Sequence, residues 1–280
     1  MKEKLALREE FDRKLVFESF GARILLESSS QELLEMALKT ARKALVGNIR
    51  VIENPEESQM SYRFGFKFDE DGVWSLHENG VQTNYGGSAF IFFKFFDSML
   101  RLRVGENAVN RVFVHAGVVA WKGRAIVVPA KSYKGKTTLV AELIRNGAEY
   151  YSDEYALLDE IGLVHPFPRE LAIRDVHYSS PDSRVSASRL GGKTGVKPIS
   201  IGAVLFTEYQ ERARWDPKSL TIGQGIVETI PHTLPVHLNT KFSLEVLNKA
   251  FKGAIIAKSF RGDAKHACPE ILAFLDNYLN

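Results

Sequence analysis

The hydrophobic positions in the second half of the chain form short apolar runs and stretches of helical spacing, which is typical of α/β proteins. Apolar runs at 112–121 and 124–129 predict two strands joined by a glycine-containing turn. The segment 137–146 has its apolar residues at helical spacing, and Gly147 directly after it is a helix stop. We therefore expect strand, turn, strand, connection and helix in this order.

The rest of this half predicts further strands and helices and one long connection. The segment 149–158 predicts a single strand with two acidic residues near its start. The stretch 178–198 is rich in serine, glycine and proline, and it is either an irregular surface loop or a mobile lid over a ligand. Further strands are predicted at 199–209 and 253–260, and helices at 223–230 and 269–279.

The first half of the chain predicts a separate, smaller α/β lobe over residues 15–110. A capping-box pattern at 29–32 precedes an amphipathic helix. An alternating strand at 61–68 and a hairpin signal at 79–80 indicate a sheet. The segment 89–102 predicts a strongly apolar helix, which we expect to be buried between two lobes and not bound to a membrane, because no basic stripe accompanies it.

Composition and charge place the chain among ordinary globular proteins. The 280 residues are 45% hydrophobic and 25% charged, with a formal net charge of +3, which is mild and does not demand a nucleic acid partner. No apolar run reaches eighteen residues, the first residues lack a signal-peptide core, and Cys268 is the single cysteine. We expect two domains, 1–110 and 111–280, in a cytoplasmic protein with no membrane partner.

The connection after the strand 124–129 carries the candidate chemistry. It is one glycine short of the phosphate-binding pattern G-x-x-x-x-G-K-[ST], because alanine stands first. A strand before such a loop and a helix after it place backbone N–H groups around a phosphate. The lysine would reach the β- and γ-phosphates, and the first threonine would ligate Mg²⁺. The nine predicted nucleotide-binding residues are Ala130, Lys131, Ser132, Tyr133, Lys134, Gly135, Lys136, Thr137 and Thr138.

Two features on either side of this loop supply candidate catalytic groups. His115 lies on the strand before the loop strand, and Asp153 and Glu154 follow the helix. An acid beside a phosphate loop often lies near the metal, and it can accept the proton of an attacking hydroxyl. The alternatives are a structural histidine, a solvated acidic turn and, for the loop, an ordinary strand–turn–helix with exposed lysines.

In chain order, the strand histidine, the loop, the helix end at 145–147 and the acidic pair resemble HPr kinase/phosphorylase and, more loosely, the bacterial HPr-kinase-like proteins. The resemblance covers about residues 112–160. It implies a P-loop kinase core of the HPr kinase and phosphoenolpyruvate carboxykinase type, within the α/β class, with the smaller N-terminal α/β lobe before it. The activity that it implies is ATP-dependent phosphorylation of a serine hydroxyl.

The resemblance also implies roles for individual residues. Asp153 is the general base for the acceptor serine, and His115 beside it tunes its charge. The metal positions are Thr137, Glu154 and, as the nearest match in the segment 168–174, Glu170. The glycine that follows the arginine of that segment in the family is missing here, so whether the reverse, phosphorolytic reaction takes place stays open.

The implied cofactors are ATP and Mg²⁺, and the implied partner is a protein or a ribosomally made precursor peptide that carries a serine. Two other functions remain open at this point. A nucleotide-binding regulatory protein with little turnover would fit the alanine at the first loop position, whereas a kinase that acts on a small-molecule hydroxyl would use the same residues. The oligomeric state is also open, with a homo-oligomer among the states that fit.

Overall fold

The computed structural model describes residues 11–53, 56, 59–130, 135–173 and 184–279, apart from the side chain of residue 85. The chain divides into two units, Met1–Asn110 and Arg111–Asn280. Both units combine mixed sheets with helices, so the protein belongs to the α/β class. No helix among the described residues is long and apolar enough to cross a membrane.

The first unit contains a six-stranded sheet with strand order β3-β1-β2-β4-β5-β6. All pairs are antiparallel except β2 with β4, which run parallel. Two helices, α1 (Gln31–Ala44) and α2 (Ala89–Asn107), belong to this unit. The strands are β1 (Arg13–Ser19), β2 (Ala22–Ser28), β3 (Arg50–Ile52), β4 (Tyr62–Phe68), β5 (Trp74–Glu78) and β6 (Val81–Tyr85).

The core of the first unit is built from the apolar faces of both helices and the strands they cover. The Ser30 side chain caps α1 by accepting from the Leu33 N–H, so the cap lies one residue after the start of the predicted capping box. The helix that was predicted to lie between the lobes contributes Phe92 and Phe96 to the core of its own unit. Aromatic contacts with Phe66, with ring centroids 4.8 and 6.4 Å apart, fix these two side chains.

The second unit contains an eight-stranded sheet, ordered β11-β10-β7-β8-β14-β16-β15, with β9 also paired to β7. Strands β8, β14 and β16 are parallel, and the remaining pairs are antiparallel. Strands β12 and β13 form a separate pair. The strands are β7 (Val112–Trp121), β8 (Arg124–Pro129), β9 (Glu149–Ser152), β10 (Tyr155–Leu158), β11 (Val164–His165), β12 (Leu171–Ala172), β13 (Arg184–Val185), β14 (Ile201–Tyr209), β15 (Lys218–Ser219) and β16 (Ile255–Arg261).

Helices cover both faces of this sheet. Apolar side chains of α3 and α6 pack on one face, and those of α5 on the other, with Ile226 of α4 packed against the α5 side. This layering explains the continuous apolar runs of β7 and β8, because strands covered on both faces need apolar residues at successive positions. The helices are α3 (Lys136–Arg145), α4 (Ile222–Thr229), α5 (Thr240–Phe251) and α6 (Ala264–Asp276).

Two sequence predictions in this unit are corrected. The segment 149–158 is not one strand, because the chain breaks at Asp153 and Glu154 into β9 and β10, which pair successively with the same edge of β7. The last helix begins at Ala264 and contains Pro269 in its interior, whereas proline was expected at its start. The Asp263 side chain caps this earlier start by accepting a hydrogen bond from the Lys265 N–H.

Candidate functional site

The connection between β8 and α3 is described by the structure at its two ends, Ala130 and Gly135. Gly135 is the N-cap of α3 with φ 80° and ψ 15°, a left-handed conformation that favours glycine. No side chain of the described residues caps this helix start, and the first N–H groups of a helix are donors that anions can bind. Four predicted nucleotide-binding residues lie outside the described residues: Lys131, Ser132, Tyr133 and Lys134.

The backbone conformation of Ala130 shows why alanine can occupy the first position of the loop. The φ angle of Ala130 is not positive, so the conformational freedom of glycine is not needed there. The residue is buried at the end of β8, which fixes where the loop begins. Thr138, at the other end of the predicted nine, is exposed on the first turn of α3.

Lys136 is the first residue of α3, and its side chain is almost completely buried. Its Nζ lies 2.8 Å from Nε2 of His115, which β7 presents to the helix. A charged ammonium can only donate, so Nε2 then accepts and the ring proton lies on Nδ1. The structure thus brings together two residues that are twenty-one positions apart in the sequence.

Gly117, which the sequence analysis did not single out, makes this approach sterically allowed. A Cβ at this position would lie 2.5 Å from Cγ2 of Val140 and 3.1 Å from Cγ of Lys136. Glycine therefore lets the first turns of α3 pack directly on β7, two residues after His115 along the strand. The isolated glycine within an apolar strand pattern is the sequence signal for such a close approach.

Asp153 lies in the short turn between β9 and β10, close enough to Thr137 for that hydroxyl to lower the pKa of its carboxyl group. One carboxylate oxygen, Oδ1, is buried and has no hydrogen-bond partner among the described residues. Burial raises the pKa of Asp153 to about 7, against the opposing effects of the Lys136 ammonium and the Thr137 hydroxyl. A carboxyl group with this pKa can exchange a proton near neutral pH.

Burial also shifts the pKa of Lys136, but in the opposite direction, because its charged form is a cation. Desolvation lowers the pKa of Lys136, and the charges of Asp153 and Glu154 only partly restore it. The charged forms of Lys136 and Asp153 are therefore both less stable here than they would be in water. An anion at the helix N-terminus would favour the charged lysine, because it adds a second negative partner.

The three predicted metal positions have different environments. Thr137 contacts Asp153 directly, and the Glu154 backbone is held next to β7, where its carbonyl accepts from the Ala116 N–H at 3.2 Å. Glu170 is exposed before β12, and its side chain makes no hydrogen bond or ion pair with any described residue. The structure thus brings Thr137 and Asp153 into contact and keeps Glu154 within electrostatic range of Lys136, but it does not link Glu170 to them.

The oxygen ligands at this point suit Mg²⁺ better than a softer metal. Magnesium is usually held by one or two carboxylates, a hydroxyl, water and the phosphates of the substrate. The unpartnered buried Oδ1 of Asp153 is the kind of atom that such an arrangement would satisfy. No group of three or more histidine, cysteine, aspartate or glutamate side chains with metal-site geometry occurs among the described residues.

A cavity of about 1020 Å³ adjoins the start of the loop. It lies at the carboxyl ends of β8, β14 and β16, where open α/β sheets usually bind ligands. Thr207 on its wall has a buried hydroxyl without a hydrogen-bond partner in the described part of the chain. The wall combines apolar and polar groups and includes Pro129, Ala130, Val227 and the segments 206–208 and 258–260.

Arg261, which the sequence analysis also missed, reaches the loop from the end of β16. The side chain is buried, and Nη2 donates a hydrogen bond of 2.7 Å to the Gly135 carbonyl. Since 126 positions separate the two residues, no local pattern could have linked them. No family model matches this chain, and no curated protein matches it, so the site is interpreted from its own geometry.

Proposed function

We propose that this protein is a Mg²⁺-dependent kinase that transfers the γ-phosphate of ATP to a serine hydroxyl of a protein or a ribosomally made precursor peptide. The observation that carries this proposal is the contact of Asp153 with Thr137, beside the Lys136–His115 pair, at an uncapped helix N-terminus. A protein that only bound nucleotide would need the lysine and the helix, but it would not need a buried carboxyl group with a pKa near 7.

The phosphates of ATP would occupy the N-terminal end of α3. The N–H groups of the first turn, which no described side chain caps, and the Lys136 ammonium would receive this negative charge. His115 keeps the lysine side chain directed along β7. Thr137 and Glu154 would hold Mg²⁺, which when bound neutralises charge on the phosphates.

Asp153 would act as the base. The serine Oγ forms a bond to the γ-phosphorus while the bond from that phosphorus to the bridging oxygen of ADP breaks. The hydroxyl proton moves to the Asp153 carboxylate as the transfer proceeds. The nearby Thr137 hydroxyl would orient the carboxylate, and burial of Asp153 favours the protonated product of this step.

The cavity beside Ala130 would hold the nucleoside. In the sheet, β14 and β16 lie on one side of the loop strand β8, and β7, to which β9 and β10 pair, lies on the other. Donor and acceptor oxygens lie roughly in line on opposite sides of the transferred phosphorus. We therefore expect the acceptor serine to bind at Asp153 and the nucleoside in the cavity.

The experiment that tests this function is phosphate transfer from labelled ATP, in the presence of Mg²⁺, to peptides encoded beside the gene. Asp153→Asn keeps the size of the side chain but cannot take the proton, so it should bind ATP and lose on the order of 10²-fold in transfer rate. Transfer at the normal rate by this variant would reject the kinase mechanism. ATP binding without transfer by the unmodified protein would instead favour a regulatory nucleotide-binding protein.

A further inference from the structure

Arg261 is a buried cation next to the phosphate loop. Its side chain lies at the end of β16 with 2% of its surface exposed. Nη1 donates to the Gly262 carbonyl at 2.9 Å, and Nη2 donates to the Gly135 carbonyl at 2.7 Å. The third nitrogen, Nε, is buried and has no acceptor among the described residues. The guanidinium group is thus held between the helix start and the turn that follows its own strand.

The contact with Gly135 is specific to glycine. A Cβ added to Gly135 would lie 2.6 Å from Nη2 of Arg261, closer than non-bonded atoms allow. The same carbonyl also accepts the first helical hydrogen bond of α3, from the Leu139 N–H at 3.1 Å. Glycine at the N-cap therefore allows both the left-handed backbone conformation and the close approach of the Arg261 side chain.

The bond from Arg261 is made to the peptide group at the start of α3. The carbonyl of Gly135 and the N–H of Lys136 belong to one peptide unit, and a charged donor on the carbonyl polarises the N–H at its other end. This N–H is one of the groups at the start of α3 that no side chain of the described residues caps. Arg261 consequently fixes the orientation of this group and strengthens it as a donor.

Arg261 has no ion-pair partner within the described part of the protein. No carboxylate there lies within ion-pair distance, and burial lowers its pKa, opposed in part by the charge of Asp263. A buried charge without a partner costs free energy, whereas a bound anion nearby would offset that cost. A structural arginine that only closed the turn would gain nothing from remaining unpaired.

We propose that Arg261 is a positioning residue of the phosphate site, which orients the Gly135–Lys136 peptide and whose buried charge is neutralised by a bound polyphosphate. This inference rests on the nucleotide binding proposed above. The ligand class is an inorganic or nucleoside polyphosphate, because Arg261 contacts the Gly135 carbonyl at the helix start and does not line the cavity that would hold a nucleobase.

Calorimetric titration with inorganic tripolyphosphate at several salt concentrations tests this role without requiring catalysis. Arg261→Gln should weaken binding about tenfold and flatten its salt dependence, because a charge-assisted contact is lost. Arg261→Lys keeps the charge and should recover the salt dependence, with binding roughly threefold weaker because one ammonium cannot replace the fork. Arg124→Gln is the matched control, since it removes an exposed charge at the opposite end of β8 and should leave binding unchanged.

The outcomes separate this inference from the proposed function. If the unmodified protein binds neither tripolyphosphate nor ATP, the proposed function fails and this inference fails with it. If the unmodified protein binds and Arg261→Gln binds equally well, only the role of Arg261 is rejected. If Arg261→Gln does not fold, Arg261→Lys decides alone, because unchanged affinity in that folded variant would contradict the positioning role.

Discussion

Each unit of this protein buries a cluster of charged side chains, and the two clusters differ in how well they are paired. In the first unit, Glu78 accepts from the Tyr62 hydroxyl at 2.7 Å and from Nε of Arg103 at 2.8 Å. Arg103 also pairs with Glu106 at 3.0 Å and lies over the Tyr62 ring. In the second unit, the carboxylate of Asp153 keeps one buried oxygen without a partner.

The electrostatic consequences of this difference are opposite. In the first unit, the hydrogen bonds from Arg103 to Glu78 and Glu106 outweigh its partial burial and raise its pKa, so the pair is stabilised in its charged form. Burial and the bond to Glu78 raise the pKa of Tyr62 to about 12. In the second unit, burial prevails for both Lys136 and Asp153. A satisfied cluster stabilises a fold, whereas an unsatisfied one indicates where a ligand is expected.

The largest effect is expected in the paired cluster. Glu78→Gln removes the charge that two donors share, so it should lower the free energy of unfolding by about 3 kcal/mol, the lower end for a broken buried pair, since Arg103 keeps Glu106. Chemical denaturation measures this loss. Glu18→Gln, which affects the pair with the exposed Arg50, is the control and should cost less than about 1 kcal/mol. Equal losses would show that the Glu78 cluster is not a stabilising one.

In the second unit, removal of the Asp153 charge should raise the free energy of unfolding. The folded-state pKa of Asp153, about 7, lies above the ordinary value of 3.8, so the folded protein binds the extra proton and loses stability as pH rises from about 4 to above 7. Asp153→Asn cannot ionise and avoids this loss. It should exceed the unmodified protein in unfolding free energy at pH 8 by about 2 kcal/mol or more, and by much less at pH 4.

Thermal unfolding of both proteins at the two pH values measures this difference. Glu154→Gln, in the same turn, is a suitable control, because its charge favours charged Lys136 and its loss should give no comparable gain. A gain for Asp153→Asn that is the same at both pH values would contradict the assignment of the titrating group.

We expect ATP to bind at the second-unit cluster by contacting the Lys136 ammonium. Lys136→Ala removes a charge-assisted contact of about 1.5–3 kcal/mol, so ATP should bind about tenfold more weakly or worse by calorimetry. Lys122→Ala, at the exposed turn between β7 and β8, is the control and should bind ATP normally. Unchanged affinity in Lys136→Ala would reject the phosphate site.

The smallest effect is expected at the cavity. Val227 is 66% exposed on its wall, so Val227→Trp should fit without disturbing the core while reducing the room for a nucleoside. ATP should then bind roughly threefold more weakly, whereas inorganic tripolyphosphate should bind as before. If both ligands were weakened equally, the nucleoside would not occupy this cavity.

Local patterns in the sequence determined most of the elements of this protein. The alternation at 61–68, the hairpin signal at 79–80 and the apolar runs of β7 and β8 each correspond to an observed strand or turn. Helix α5 was not predicted, and 149–158 was predicted as one strand. The second error arose because apolar residues flank the acidic turn on both sides, at 150–151 and 155–158, and pattern alone cannot show that the chain breaks there.

The sequence by itself determined where the chain changes from strand to helix and which residue types stand at the loop, because these depend on spacing along the chain. Only the tertiary structure decided that Asp153 contacts Thr137, that His115 contacts Lys136 and that Arg261 reaches Gly135. Those contacts depend on strand order and on which face of the sheet α3 covers. The pKa of Asp153 is decided in the same way, since burial is a property of the packed sheet and its helices and not of the residue.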